Sequence, residues 1–289
     1  MVKEKLTVKS RTVTVAAAAS EAKSVRFVDT EKHGYRVMED GKIGIYGSTG
    51  KSDDEAGWKR AEENLKNEIP YPVEPSKNRT EHIDASHSLL SDKEFVEKTK
   101  ELLAKLKEKC PTFLFSNNIL KGEIEECIRN DVGLDLSYKA GFYSLDLIMK
   151  EKSSANIFDL GYSYSGKSFD VEKMTKDIEE LAQAYYVAAD IGEGEHYVLA
   201  SVYDLAVNKL YEGIRADSYA NGTGLFAGKC GRQVFDERVT IYEDRDPNAG
   251  VYGAFFDDEG VVNEGYKNVV FEKGVFKGPL ASKFDAQKY

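Results

Sequence analysis

Three groups of residues in this chain have types and spacing that could do chemistry. Gly47-Ser48-Thr49-Gly50-Lys51-Ser52 sets glycines and a lysine between a strand-like and a helix-like segment. Phosphate is held at such places by backbone amides at a helix N-terminus. Asp257-Asp258-Glu259-Gly260 gathers three carboxylates, oxygen donors that suit magnesium or calcium. The imidazoles are His33, His82, His87 and His196, and neutral imidazole is a common zinc ligand.

Each group also has a plainer reading. The phosphate-binding pattern needs a glycine five positions before its second glycine, and that slot holds Ile45, with Gly44 one residue too early. Asp53, Asp54 and Glu55 follow directly, as first-turn acids that complement a helix dipole. The three carboxylates at 257–259 fit a polar turn that ends a strand. His82 and His87 flank Asp84 in a proline-rich stretch and read as solvated loop residues. His33 precedes a hairpin. His196 begins a strand just ahead of a helix that starts near Val202.

The elements that position these residues follow from periodicity. Tyr35, Val37, Ile43 and Ile45 alternate about Asp40-Gly41, a tight-turn pair, and predict a hairpin. Val13 and Val15 alternate with Thr12 and Thr14, which reads as a strand rather than an export segment. Ser52 with Glu55, and Ser91 with Glu94, have capping-box spacing and open two helices. Pro70, Pro72 and Pro75 follow the first, and Pro111 stops the second. Residues 112–170 read as strands, and Val171 to Ala188 as a third helix with Met174, Ile178 and Leu181 on one face. Later strands are Val239–Tyr242 and a hairpin of Val269–Phe271 with Val275–Phe276. The expected fold class is α+β: an N-terminal α+β domain over 1–193 with hairpins and long helices, then a β-rich C-terminal domain over 194–289.

Composition narrows the function classes. The 289 residues are 41% hydrophobic and 31% charged, the balance of a globular chain with a core. A net charge of −10 opposes general affinity for nucleic acid. No apolar run reaches the roughly 20 residues that span a bilayer. Cys110, Cys127 and Cys230 form no CxxC pair and are odd in number, which places the chain in a reducing compartment, the cytoplasm.

Two stretches resemble the TldD/PmbA family of zinc-peptidase subunits. The first is Tyr35-Arg-Val-Met-Glu-Asp-Gly-Lys-Ile-Gly-Ile-Tyr46, similar to that family's N-terminal hairpin. The second runs from Gly224 to Gln287. It contains Leu225-Phe-Ala-Gly-Lys-Cys-Gly231, Val239-Thr-Ile-Tyr-Glu-Asp244, the Asp257-Asp-Glu-Gly260 motif and Val270-Phe-Glu-Lys-Gly-Val-Phe-Lys-Gly278, in the family's order. Catalytic members of the family carry HExxxH shortly before these loops, with zinc on the histidines and the glutamate as general base. Counted back from Gly228, those slots hold Tyr203, Asp204 and Asn208. Tyrosine and asparagine are poor zinc ligands beside imidazole. Ser201 and Asp204 also have the spacing of a capping box.

Family members run on past the position of Tyr289 into a tail that supplies a cysteine ligand, so the chain is expected to be either a natural short form or a fragment. The resemblance implies a non-catalytic, peptide-binding partner subunit, inactive alone, with zinc only in a catalytic partner. The implied partners are a TldD-like catalytic subunit, or a second copy of the chain, and unfolded peptide, with no direct nucleic acid and no membrane. The candidate substrate-binding residues are Gly228, Gly231, Asp257, Asp258, Glu259 and Gly260. The family is also linked to modulation of DNA gyrase. Two alternatives stay open: a metal-dependent peptidase using Asp204, His196 or the acids at 257–259, and a nucleotide-binding protein using Gly47–Ser52.

Overall fold

The computed structural model describes residues 1–86, 89–197, 206–249 and 253–288. Its frame is a set of long antiparallel strands: β1 (Val2–Ala18), β2 (Glu21–Glu39), β3 (Lys42–Thr49), β6 (Phe113–Asn130) and β7 (Leu134–Glu151). Short β4 (Ile69–Pro70), β5 (Arg79–Ala85) and β8 (Leu160–Gly166) complete it. Among the described residues the order is β4-β3-β2-β1-β6-β7-β5, with β8 also on β7. The β1–β2 and β2–β3 turns have positive φ at both central residues, 51° and 66° at Ala19-Ser20, 49° and 72° at Asp40-Gly41. That geometry matches the right-handed strand twist.

β5 corrects the loop reading of His82. It pairs parallel with β7, and His82 lies opposite Ser137.

Three helices cover one face. In α1 (Asp54–Glu63) the cap is Asp53, whose side chain accepts from the Ala56 amide, so Ser52 is not the capping residue expected. The Ser52 hydroxyl is instead engaged with Tyr35, Lys5 and Asp54. The second capping box is present in α2 (Asp92–Lys109), with both the Ser91 and Glu94 bonds formed. α3 (Val171–Ala184) starts where expected, capped by Asp170, and ends four residues sooner than Ala188.

The cores occupy opposite faces of the same strands. The β6–β7 register keeps one alignment from Phe113↔Glu151 to Arg129↔Asp135. Alternation then sends Tyr143, Leu145, Leu147 and Met149 to one face and Leu134, Leu136, Tyr138 and Ala140 to the other. The first set packs under α2 and α3 with Val13, Val15 and Phe95. The second packs with Ile128 and with Ala254, Phe255 and Phe256 from the C-terminal part of the chain.

That C-terminal part contains α4 (Ala206–Ile214), α5 (Ala216–Ala220), β9 (Ile241–Asp244), β10 (Lys267–Glu272), β11 (Val275–Phe276) and α6 (Lys283–Lys288). In the structure β10 lies between β9 and β11. Val270, Phe271 and Phe276 are buried with Ile214 and Phe226, so the hairpin is packed within one chain.

Candidate functional site

The acids at 257–260 form a tight turn docked on the sheet. The Asp257 carboxylate accepts from the Glu259 amide and the Val261 amide, each at 2.9 Å, which closes the turn. Gly260 has φ +67°, and a Cβ there would stand 2.6 Å from Leu134 Cδ2. The Glu259 carboxylate accepts from the Tyr71 hydroxyl at 2.8 Å and from the Lys283 amide at 2.7 Å. Ser76 donates to the Glu259 carbonyl at 2.8 Å. Arg36 of β2 bonds the Asp258 carbonyl and lies 3.4 Å from its carboxylate. Arg36 also reaches Glu4 at 3.3 Å, and Glu4 is 3% exposed. Burial pushes the Glu4 carboxyl above the usual range even though Arg36 and Asn130 oppose it.

Beside this turn is a cleft of about 520 Å³ between the sheet and the C-terminal segment, lined by Glu126, Glu243, Asp244, Arg245, Asp257 and Asp258 among others. Arg245 pairs with Glu243 at 2.6 Å and donates to the Phe256 carbonyl at 2.9 Å. Burial raises the carboxyl pKa of both Glu126 and Asp257. A cleft of this charge repels phosphate and attracts cationic groups.

The remaining candidates do not converge on these acids. Gly228 and Gly231, with φ +68° and +77°, shape a turn that buries Phe226. The Gly231 amide donates to the Phe276 carbonyl at 2.7 Å, so this loop braces the hairpin. Asn208 lies on α4 and is exposed. Tyr203, Asp204, the Ser201 cap and His87 lie outside the described residues. His196 is in irregular chain rather than a strand, 2.7 Å from the Gly192 carbonyl. His33 is buried between Thr7 and the Gly50 carbonyl, and His82 contacts Ser137 at 2.6 Å. Among the described residues no three His, Cys, Asp or Glu side chains group as metal ligands. With a phenol and an amide in the two histidine slots, this donor set does not fit the family's zinc.

Gly47–Ser52 is not a phosphate loop. Gly47, Ser48 and Thr49 pair with Gly34, His33 and Lys32 inside the sheet, and the Gly50 amide donates to Glu31. Gly44 serves packing, since a Cβ there would lie 2.0 Å from the Ala61 carbonyl of α1.

Between α1 and α2 the sheet face is polar and floors a groove of about 520 Å³. Cross-strand register sets Glu31, Lys9, Glu125 and Lys139 in one row of alternating sign. Sequence reading missed this row and the roles of Glu4, Tyr71 and Lys283. The available signal was Lys5, Lys9 and Arg11 spaced at even intervals on one strand, with Glu123 and Glu125 likewise on another.

Comparison with known proteins agrees with this architecture. A family model described as the PmbA/TldA metallopeptidase C-terminal domain matches residues 200–289. TldE from Thermococcus kodakarensis superposes with a TM-score of 0.80 at 19% identity, over 99% of this chain and 68% of that one. Residues 200–289 thus match that family's C-terminal domain, and the chain as a whole shares the fold of TldE. A Thermotoga maritima protein described as a candidate modulator of a DNA gyrase gives a TM-score of 0.75 at 22% identity, over 99% of this chain and 68% of its own. An uncharacterized Methanocaldococcus jannaschii protein is 24% identical over 96% of this chain. The present chain spans 66% of that relative's length. Among the described residues no helix is long and apolar enough to cross a membrane.

Proposed function

We propose that this chain is a non-catalytic, peptide-binding partner subunit of a TldD/PmbA-type metallopeptidase complex. The observation that carries the reading is Asn208. It occupies the slot of the family's second zinc histidine, on α4, and a neutral amide there cannot replace imidazole. The alternative donors at 257–259 are committed to this chain's own groups: two amides on Asp257, Arg36 on Asp258, and Tyr71 and Lys283 on Glu259. This counts against a peptidase that uses those acids for metal. Unpaired Cys110, Cys127 and Cys230 support a cytoplasmic setting. The net charge of −10 supports a role without direct nucleic-acid contact.

The test combines elemental analysis with cleavage of an unfolded protein substrate. The expected result is no stoichiometric zinc and no cleavage by this chain alone. Added to a family member that carries HExxxH, the chain is expected to increase cleavage and to co-elute with it. Tightly held zinc, or chelator-sensitive cleavage by the chain alone, would overturn the proposal.

A further inference from the structure

Asp135 and Ser137 share the face of β7 that Tyr143 and Leu145 occupy further along the strand. Parallel pairing with β5 sets His82 opposite Ser137 on that face. The Ser137 hydroxyl lies 2.6 Å from His82 Nδ1. On the other side of the ring, His82 Nε2 faces Asp135 Oδ2 at 3.7 Å, and Arg129 Nε donates to Asp135 Oδ1 at 2.7 Å. A hydroxyl, an imidazole and an orienting carboxylate therefore stand in sequence, the arrangement that activates a serine. The carboxylate beside Nε2 favours the proton there, which leaves the Nδ1 lone pair free to take the hydroxyl proton. The His82 side chain is 46% exposed, so a small substrate can reach the pair. Leu136 and Tyr138, buried on the reverse face, hold this stretch of β7 in place. Cys127 lies across from Ser137 on β6, but burial pushes its thiol up and keeps it protonated at neutral pH, so the hydroxyl is the nucleophile.

We propose that Ser137 and His82 form an acyl-transfer site for small, activated carboxylic esters. Ser137 Oγ bonds to the ester carbonyl carbon while His82 Nδ1 takes its proton. The bond from that carbon to the leaving oxygen then breaks, and the departing alcohol takes the proton from His82. Water attacks the acyl-serine next, giving a proton to Nδ1 that passes to Ser137 Oγ as the carboxylic acid is released. Asp135 is a positioning residue, acting through His82. Lys139 follows Ser137 on the same face of β7 and supplies positive charge beside the developing oxyanion. The backbone amides of this stretch are paired into β5 and β6, so none is free to form an oxyanion hole. Peptide amides, which are far less reactive than activated esters, are therefore not substrates. The inference stands apart from the peptidase reading.

Hydrolysis of p-nitrophenyl acetate by the full chain, with mass spectrometry after treatment with a fluorophosphonate probe, tests it. Saturable hydrolysis and a probe adduct on Ser137 are expected. Ser137→Ala and His82→Gln should each lower kcat/KM about a hundredfold, the scale of general-base catalysis. His82→Gln should also abolish the adduct. Asp135→Asn should lower kcat and leave KM unchanged, a split that a merely structural role does not produce. Thermal unfolding at the temperature of the unaltered chain shows that each variant is folded. An unaltered chain that gains no adduct on Ser137, or hydrolysis that survives Ser137→Ala or His82→Gln, would overturn the proposal.

Discussion

Arg36 Nη2 lies 3.4 Å from Asp258 Oδ2, although 222 positions separate the two residues in the chain. The two stretches that resemble the TldD/PmbA family therefore meet in space. Arg36 belongs to the hairpin stretch and Asp258 to the acidic turn, so the resemblance marks a docking contact as well as a pair of motifs.

Arg36→Ala is expected to cost about 3 kcal/mol of stability at neutral pH, because it leaves the buried Glu4 carboxylate without its cation. Burial already raises the Glu4 pKa, and losing Arg36 raises it further. The penalty should shrink as the pH falls and Glu4 takes up a proton. Adding Glu4→Gln should recover most of the loss. Urea unfolding at neutral pH and near pH 4 measures this, and an equal penalty at both would exclude Glu4 as the group responsible.

Gly260→Ala should destabilise the chain by about 2–3 kcal/mol, combining a positive φ with a clash on buried Leu134. Gly231→Ala has φ +77° but open space around it, so about 1 kcal/mol is expected. Thermal unfolding of the two variants side by side separates crowding from backbone strain. Equal shifts would mean that the Leu134 contact relaxes without cost.

Glu126→Gln should stabilise the protein at neutral pH. Burial raises the Glu126 pKa in the folded state above its ordinary 4.5. Its contribution is therefore fully favourable below that value and is lost as the pH rises through the folded pKa. The amide variant avoids the loss, so the gain should vanish near pH 4. A gain that persists there would point to a cause other than ionisation.

ATP and GTP, with magnesium, are expected to give no binding heat at Gly47–Ser52. The glycine run is tied into the sheet, and three acids follow it. Binding abolished by Lys51→Ala would reverse this assignment.

Much of the fold was legible because its patterns are local. The Asp40-Gly41 turn and the Ser91–Glu94 box announce themselves over a few residues, and both formed. The choice of Asp53 over Ser52 as a cap was not legible, because it depends on Tyr35, Lys5 and Asp54 engaging the serine hydroxyl. Nor was β5, whose pairing with β7 is a long-range parallel contact that no turn signals. The acidic turn was visible as a motif, but its use was not. Whether carboxylates hold a metal or their own chain depends on partners such as Tyr71, Arg36 and Lys283, which are distant in sequence.

β7 buries Leu134, Leu136, Tyr138 and Ala140 on one face and Tyr143, Leu145, Leu147 and Met149 on the other, in a single register with β6. Fraying it from either end uncovers one hydrophobic cluster and loosens the strand that supports the other. The two clusters should therefore melt together, with calorimetric and van't Hoff enthalpies in agreement. A protease cut that releases residues 253–288 would expose Ile128, Leu136 and Tyr138 to water. Its effect should reach α2 and α3 on the far side of the sheet, so neither piece should persist as a foldon of its own.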